Sequence, residues 1–421
     1  MGTPAEYSAA STSNLEVALS TEQHQDVITG IPREELRARR ERLLTQIRSQ
    51  NLTGYVLFDE HYIQYFTSFS FLATERPVAF AANASGAMVV FVPGFEVERV
   101  HEETEFEHVE SYPEYPGVEH PMLILGRVLR DMGITGAVGA DNDGYPGILG
   151  YAGPPLSEVV GGATTGLSPF IESLMVLKSD AEIALIRESA RWCEAGHRLL
   201  ALYSRPGATE AQASLRAGQE ATLQMLQTLG SSFGGQHASS DGVSVGYRGQ
   251  IGRRSAWAHA IAHNIEFQPG DVLVTETSAP IWGYNAELER TLIIGPPTDE
   301  ARHLFDHMVA AQKVALDSLR PGIACADVDR AVLEYFAAND LMPYWQQHVG
   351  HAIGLRNHEP PFLDVGDHTR VEAGMVFTIE PGVYSPTVGG FRHSDTVVVT
   401  PDGIEVLTEY PKDIESLTIE L

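Results

Sequence analysis

Lysine is almost missing from this chain: Lys178, Lys313 and Lys412 are the whole set in 421 residues, so arginine carries nearly all the positive charge. Cysteine is scarce as well. Cys193 and Cys325 are too few for a disulfide framework or a thiolate metal site and read as buried free thiols. No apolar run is long enough to span a bilayer and nothing at the start reads as a secretory signal, so a cytoplasmic location is the expectation. Basic residues are in deficit, 28 Lys and Arg against 56 Asp and Glu. The resulting formal charge of −28 argues against nucleic acid or an anionic membrane surface as partner.

What is present is the composition of a folded protein, with 43% hydrophobic residues to build a core. The length exceeds the usual single-core size and predicts two domains. Residues 1–30 read as a polar leader, 31–165 as a first domain and 166–421 as a second. Apolar residues Leu36, Leu43, Leu44 and Ile47 predict an amphipathic helix over 33–50, followed by β-like runs at 54–58, 77–82 and 87–93. That βα alternation predicts an α/β fold. The Gly- and Pro-dense stretch 143–169 reads as the bridge between the domains. Ser179 and Glu182 form a capping box that opens a helix. Further helices are expected at 208–229, 299–319 and 325–339, and strands at 271–278, 286–294, 374–380 and 394–400.

The second domain repeats itself. "RPGATEAQ" (205–212) echoes "RPGIACAD" (320–327), and "QPGDVLVTE" (268–276) echoes "EAGMVFTIE" (372–380). Glu276 and Glu380 fall at the same offset from Gly270 and Gly374. The duplication predicts two helix-helix-strand halves related by a pseudo-twofold axis, with both glutamates near it.

Three clusters carry chemistry. In "TETSAPIWGYNAELERT" (275–291), 274–279 pairs with 286–292 as a hairpin, which puts Glu287 and Glu289 on one face and Arg290 on the other. In "HVGHAIGLRNHEPPF" (348–362), His351 and His358 lie in a Gly-rich loop that lets backbone approach a ligand. In "VFTIEPGVYSPTVGGFRHSDTVVV" (376–399), Glu380 ends an apolar strand and Arg392, His393 and Asp395 lie on the return strand. His259, beside Trp257, is a further candidate.

The order of these clusters resembles the creatinase/Xaa-Pro peptidase family of pita-bread hydrolases, over nearly the whole chain. "GHAIGLRNHEPP" is similar to its GHxxGxxxHExP signature and "IEPGVY…GGFRHSDTVVVT" to its final hairpin. The resemblance implies a creatinase-like N-terminal domain, a pita-bread catalytic domain and a homodimer. In metal-dependent members the ligands run Asp, Asp, His, Glu, Glu. Those positions fall here on Glu276, Glu287, His351, Glu380 and Ser394, with two aspartates lengthened and the last ligand replaced by a hydroxyl.

That departure favours the creatinase-type, metal-independent members. The expectation is then a hydrolase that cuts a C–N bond in a small cationic or zwitterionic substrate without a cofactor. His259 shuttles the proton, and Glu276 is base or nucleophile. Glu289 and Glu380 clamp a cationic nitrogen, and Trp257, Trp282 and Tyr284 stack on it. Arg392 binds a substrate carboxylate, while His351 and His358 orient the reacting group. One alternative is an aminopeptidase or dipeptidase for Xaa-Pro bonds, with Mn, Co or Zn on Glu276, Glu287, His351 and Glu380 and a short peptide as substrate. Another is an inactive binding protein on the same fold.

Overall fold

The computed structural model describes residues 30–145, 151–233 and 242–421, so the expected leader falls, but for Gly30, outside the described residues. In the first domain the strands are β1 (Gly54–Leu57), β2 (Ala79–Asn83), β3 (Met88–Pro93), β4 (Val109–Tyr112), β5 (Val138–Ala140) and β6 (Thr164–Gly166). They form one sheet in the order β4-β3-β2-β1-β5-β6. Alternation along each strand sorts its side chains between two cores. Tyr55, Leu57, Phe80, Val90 and Val92 face one cluster, whereas Val56, Ala79, Ala81, Val89 and Phe91 face the other. The first cluster runs on into the second domain through Ala190, Trp192 and Leu288, so the two domains share a continuous core.

Helix α1 (Arg33–Ser49) buries Leu36, Leu43, Leu44 and Ile47, the stripe expected from the sequence. The smaller helices of this domain are α2 (Glu60–Thr67), α3 (Val97–Glu103), α4 (Pro121–Asp131), α5 (Leu156–Val160) and α6 (Ser168–Met175). The stretch 143–169 departs from its expected role as a bridge. Within it α5 forms, Gly161 ends that helix at φ +70°, and β6 pairs in parallel with β5 at the sheet edge. Its glycines and prolines mark caps and turns inside the first domain, except that 146–150 lie outside the described residues.

The second domain is built on two helix pairs, α7 (Asp180–Tyr203) with α8 (Glu210–Leu229) and α9 (Asp299–Ser318) with α10 (Cys325–Ala338). Capping boxes open α7 at Ser179/Glu182 and α8 at Thr209/Gln212. The strands are β7 (Ser244–Gly246), β8 (Val272–Val274), β9 (Glu276–Ser278), β10 (Glu287–Glu289), β11 (Thr291–Ile294), β12 (Gly350–Ala352), β13 (Glu359–Leu363) and β14 (Val376–Ile379). They continue with β15 (Gly382–Ser385), β16 (Gly389–Arg392), β17 (Ser394–Thr400), β18 (Gly403–Val406) and β19 (Thr418–Ile419). The main sheet runs β13-β12-β14-β17-β10-β9-β7, with β18 also on β17. The duplicated units thus end in β9 and β14, which carry Glu276 and Glu380 at or beside their termini.

The expected strands 271–278 and 286–294 each break in two and change sheets. Thr275 N–H donates to Arg290 O at 2.9 Å, but Arg290 N–H turns to the Thr275 hydroxyl at 2.8 Å, so the ladder kinks at this pair. β8 and β11 pass into a separate sheet, while β9 and β10 stay in the main one. The hairpin tip is a tight turn with Trp282 at φ +51° and Gly283 at φ +82°, the sign that a two-residue turn of this hand requires. Gln64 from the first domain donates to Trp282 O at 3.2 Å and holds it there.

Arg290 fixes the reverse face of the hairpin. It is fully buried, donates to Asp395 at 2.8 Å and also reaches the carbonyls of Ser394, Tyr410 and Pro411. Burial pushes Asp395 up, but Arg290 and Lys412 outweigh it and hold the carboxyl at about 2. Lys178 and Glu359 form another enclosed pair at 2.7 Å, with side chains 1% and 4% exposed. Removing one partner of such a pair strands a buried charge. Lys178→Met is therefore expected to cost about 3–5 kcal/mol in urea unfolding, and Lys178→Met/Glu359→Leu to recover most of that loss. An unchanged midpoint in the single variant would contradict the pairing.

Candidate active site

Five strands deliver the polar groups. β10 presents Glu287 and Glu289, two residues apart and so on one face. β12 carries His351, Glu380 follows β14, β16 ends at Arg392 and β17 begins at Ser394. Register pairs Glu289 with Ser394, and the Ser394 hydroxyl donates to Glu287 Oε1 at 2.7 Å. Among the described residues, Glu287, His351 and Glu380 form a group whose ligand atoms all lie within 4.8 Å of one another.

His351 is held in one orientation. Its Nδ1 lies 3.0 Å from Ala352 O, which only an N–H at Nδ1 can satisfy, so in the neutral ring the lone pair sits on Nε2. Nε2 is buried without an aligned hydrogen-bond partner, although Glu380 Oε1 stands 3.1 Å away in an ion-pair contact. Burial lowers the imidazole pKa, but the Glu380 and Glu287 carboxylates outweigh it and raise it to about 9. Glu380 responds in the opposite sense: burial pushes it up, while His351 and Arg392 bring it to about 2. Glu287 is pushed up to about 7 by burial and by the charge of Glu380. The Glu380 oxygens also receive weak contacts from Thr378 Oγ1 at 3.3 Å and Gln347 Nε2 at 3.4 Å.

The structure gathers some of the sequence-predicted residues and separates others. His358 stacks on His351 with ring centroids 3.9 Å apart, and burial together with the His351 charge lowers it to about 4. His259 is exposed, yet its charge reaches His358. Glu276 stands next to the triad and adds to the charge felt by Glu287, but it is ion-paired with Arg248.

Glu289 and Arg392 were expected to clamp a substrate cation and a substrate carboxylate. They are bound to each other in a buried fork, Nη2 to Oε1 at 2.6 Å and Nε to Oε2. Burial raises the Glu289 pKa, but both of its oxygens accept N–H from a guanidinium that stays charged, so the pair is ionic. Neither group is left over for a ligand.

The three expected stacking residues lie elsewhere. Tyr284 is buried where the domains meet, donating to Glu182 at 2.9 Å beside Arg39. Trp282 packs against Gly30 and Gln64. Trp257 is 58% exposed and faces a different cavity together with Arg254. Alternation shows which way a side chain points but not what covers it. His393 is fully buried against Phe305, and Glu359 is taken by Lys178.

Sequence reasoning did not single out Arg248, Gln347, Thr378 or Lys178. The scarcity of lysine was a usable signal for Lys178, a buried lysine just ahead of a capped helix. Arg248 had none, because its partner is distant in the chain.

A cleft of about 800 Å³ opens beside Glu276, lined by Ser278, Asn285, Arg248, Arg356 and Asn357 of the second domain and by Glu60 and His61 of the first. The buried triad beyond Glu276 fits a divalent ion. Two carboxylates and a buried imidazole nitrogen, facing one of those carboxylates and fixed in tautomer by a backbone carbonyl, are the donor set such ions take. Ser394 and Glu289 do not join that set, since the first donates to Glu287 and the second is held by Arg392.

Residues 39–144 match the creatinase/prolidase N-terminal domain, and residues 184–401 match metallopeptidase family M24. The Xaa-Pro dipeptidase of Pyrococcus horikoshii is 34% identical over 163 residues, 39% of this chain and 46% of that protein. The uncharacterized peptidase YqhT of Bacillus subtilis is 28% identical over 244 residues, 58% of this chain and 65% of the relative. These alignments span about half to two thirds of the relatives' lengths. Among solved structures, an Xaa-Pro dipeptidase from Bacillus anthracis superposes with a TM-score of 0.76 at 23% identity, covering 92% of this chain and all of that one. The dipeptidase PepE from Mycobacterium ulcerans gives 0.76 at 24% identity, with 93% and 100% covered. Those likenesses show the pita-bread fold preceded by a creatinase-like domain. With more than half of its residues inside the family match, this chain belongs to metallopeptidase family M24.

Proposed function

We propose that the chain is a metal-dependent hydrolase of peptide bonds in short peptides, of the Xaa-Pro dipeptidase kind. The observation that carries this reading is the convergence of Glu287, His351 and Glu380, with the His351 Nε2 buried, turned to the two carboxylates and free of an aligned hydrogen bond. The names of the relatives support the same class. The metal-free reading gives way because it needs Glu289 to be open to a cationic substrate, and Arg392 already fills it. The longer side chain at Glu287 does not stand against a metal, since it still converges with Glu380 on the imidazole.

Glu287, His351 and Glu380 would hold the ion. When bound, such an ion polarises the scissile carbonyl and makes a water acidic enough to attack near neutral pH. The chain's own groups do the rest. His358, neutral at pH 7, is placed against His351 to accept or donate a hydrogen bond at the reacting carbonyl or the leaving nitrogen. His259 is exposed and close enough for its charge to act on His358, which makes it the group between His358 and solvent. Arg356, which bonds Asp59 at 2.7 Å across the domain junction, lines the cleft as a partner for a peptide carboxylate. The cleft volume is within the usual range for small-ligand sites and suits a dipeptide better than a long chain.

Protein purified without added metal is expected to hydrolyse Xaa-Pro dipeptides, to lose that activity on chelation and to regain it with Mn or Co. His351→Ala should lower kcat/KM by about 10²-fold or more. Turnover that survives thorough chelation would overturn the metal-dependent reading.

The chelated protein has a pH signature of its own. The His351 pKa is raised in the folded state, so its stabilising contribution is complete below the ordinary value of 6.5 and lost as pH rises through about 9. Urea unfolding between pH 6 and pH 10 should show that loss, and His351→Gln should flatten it. A wild-type profile as flat as the variant's would contradict the His351–Glu380 coupling.

A further inference from the structure

Four carboxylates meet in or beside the site: Glu276, Glu287, Glu289 and Glu380. Two of them are matched closely by arginine within the chain, Glu289 by Arg392 and Glu276 by Arg248, while Arg392 Nε stands farther off, 3.9 Å from Glu380 Oε2. The remaining pair, Glu287 and Glu380, carries the charge that one divalent ion neutralises. We propose that the Arg248 guanidinium is a resident cation of the site, pairing with Glu276 and limiting the chain to a single divalent ion on Glu287, His351 and Glu380. The proposal rests on the metal-dependent reading above and adds to it the number of ions and the residue that sets it.

The placement of Arg248 is built in. In the β7–β9 pairing Gly246 stands opposite Glu276, so a residue two positions further along reaches the same carboxylate. Arg248 takes φ +47°, a left-handed conformation that a non-glycine residue adopts at a cost of about 1–2 kcal/mol. The next residue must be glycine, because a Cβ at Gly249 would collide with the Ile261 carbonyl. Glu210, buried at the start of α8, then fastens the turn. It accepts from Gly249 N–H at 2.8 Å, His263 N–H at 2.5 Å and Asn264 N–H at 2.9 Å. A buried carboxylate spent on three backbone donors holds this loop over the Glu276 side of the cleft.

A second ion would need Glu276. Its Oε2 is a buried oxygen without an aligned hydrogen bond, and it faces the Arg248 guanidinium in an ion pair. The nearby Ser394 hydroxyl offers no negative charge and is engaged with Glu287. Arg248 is 42% exposed, so screening makes the pair weak as a stabilising contact. Its consequence lies in charge and occupancy. A guanidinium cannot shed its proton, so it denies the position to another cation at any working pH.

The test is Mn²⁺ uptake by the chelated full chain, followed by calorimetric titration and electron paramagnetic resonance, with no activity readout. Wild type is expected to take up about one ion per chain and to show the spectrum of an isolated ion. Arg248→Ala frees Glu276 and should take up about two, with a spin-coupled spectrum. Arg248→Lys keeps the charge and should remain at about one, and Arg248→Ala/Glu276→Gln should return there. Two ions in wild type would overturn the proposal, as would an Arg248→Ala variant that still binds a single ion with wild-type affinity. No uptake by any variant would remove the metal-dependent reading itself and the proposal with it.

Discussion

Like charge brought together out of water is the constraint on which this site depends. Glu276, Glu287, Glu289 and Glu380 crowd at one end of a sheet, and carboxylates so placed raise one another's pKa or must find cations. The chain pairs arginine closely with two of them and leaves the other two around an imidazole, with Arg392 at 3.9 Å from Glu380 as the more distant cation. Glu287 shows the residual strain, standing near 7 rather than in the usual carboxylate range because of burial and Glu380. A divalent cation would relieve that tension, and in its place His351 is drawn toward its charged form by Glu380 and Glu287 together.

The scaffold serves this convergence. The kink between Thr275 and Arg290 sends each long strand into two sheets, which turns Glu276, Glu287 and Glu289 inward while Arg290 grips Asp395 on the reverse face. The tip of that hairpin is fastened from the first domain by Gln64, and Arg356 returns a contact to Asp59. The first domain, through Glu60 and His61, is thus a wall of the cleft beside Glu276 as well as a neighbour.

Much of this was legible in the sequence. The offset shared by Glu276 and Glu380, the alternation that put Glu287 and Glu289 on one face, and the strand at 394–400 all rest on short-range periodicity, which the chain obeys locally. The Gly- and His-rich motif placed His351 and His358 together, and they stack. What the sequence concealed is which charge cancels which. Glu289 and Arg392 are 103 residues apart, and no pattern along the chain distinguishes a carboxylate awaiting a substrate from one already paired. Tyr284 and Trp282 sit in a turn that looks like the rim of a site, but the domain packed over them makes them part of a junction. The stretch 143–169 misled for a related reason, since glycine and proline mark a cap inside a domain as readily as a linker between two.

The central claim is that Glu287, His351 Nε2 and Glu380 form one cation site from which Glu276 is withheld. Anomalous diffraction from crystals grown with Mn²⁺ tests it most directly. The account predicts one anomalous peak per chain bounded by those three side chains, with Arg248 still on Glu276. A second peak touching Glu276, or no peak at the triad, would contradict it.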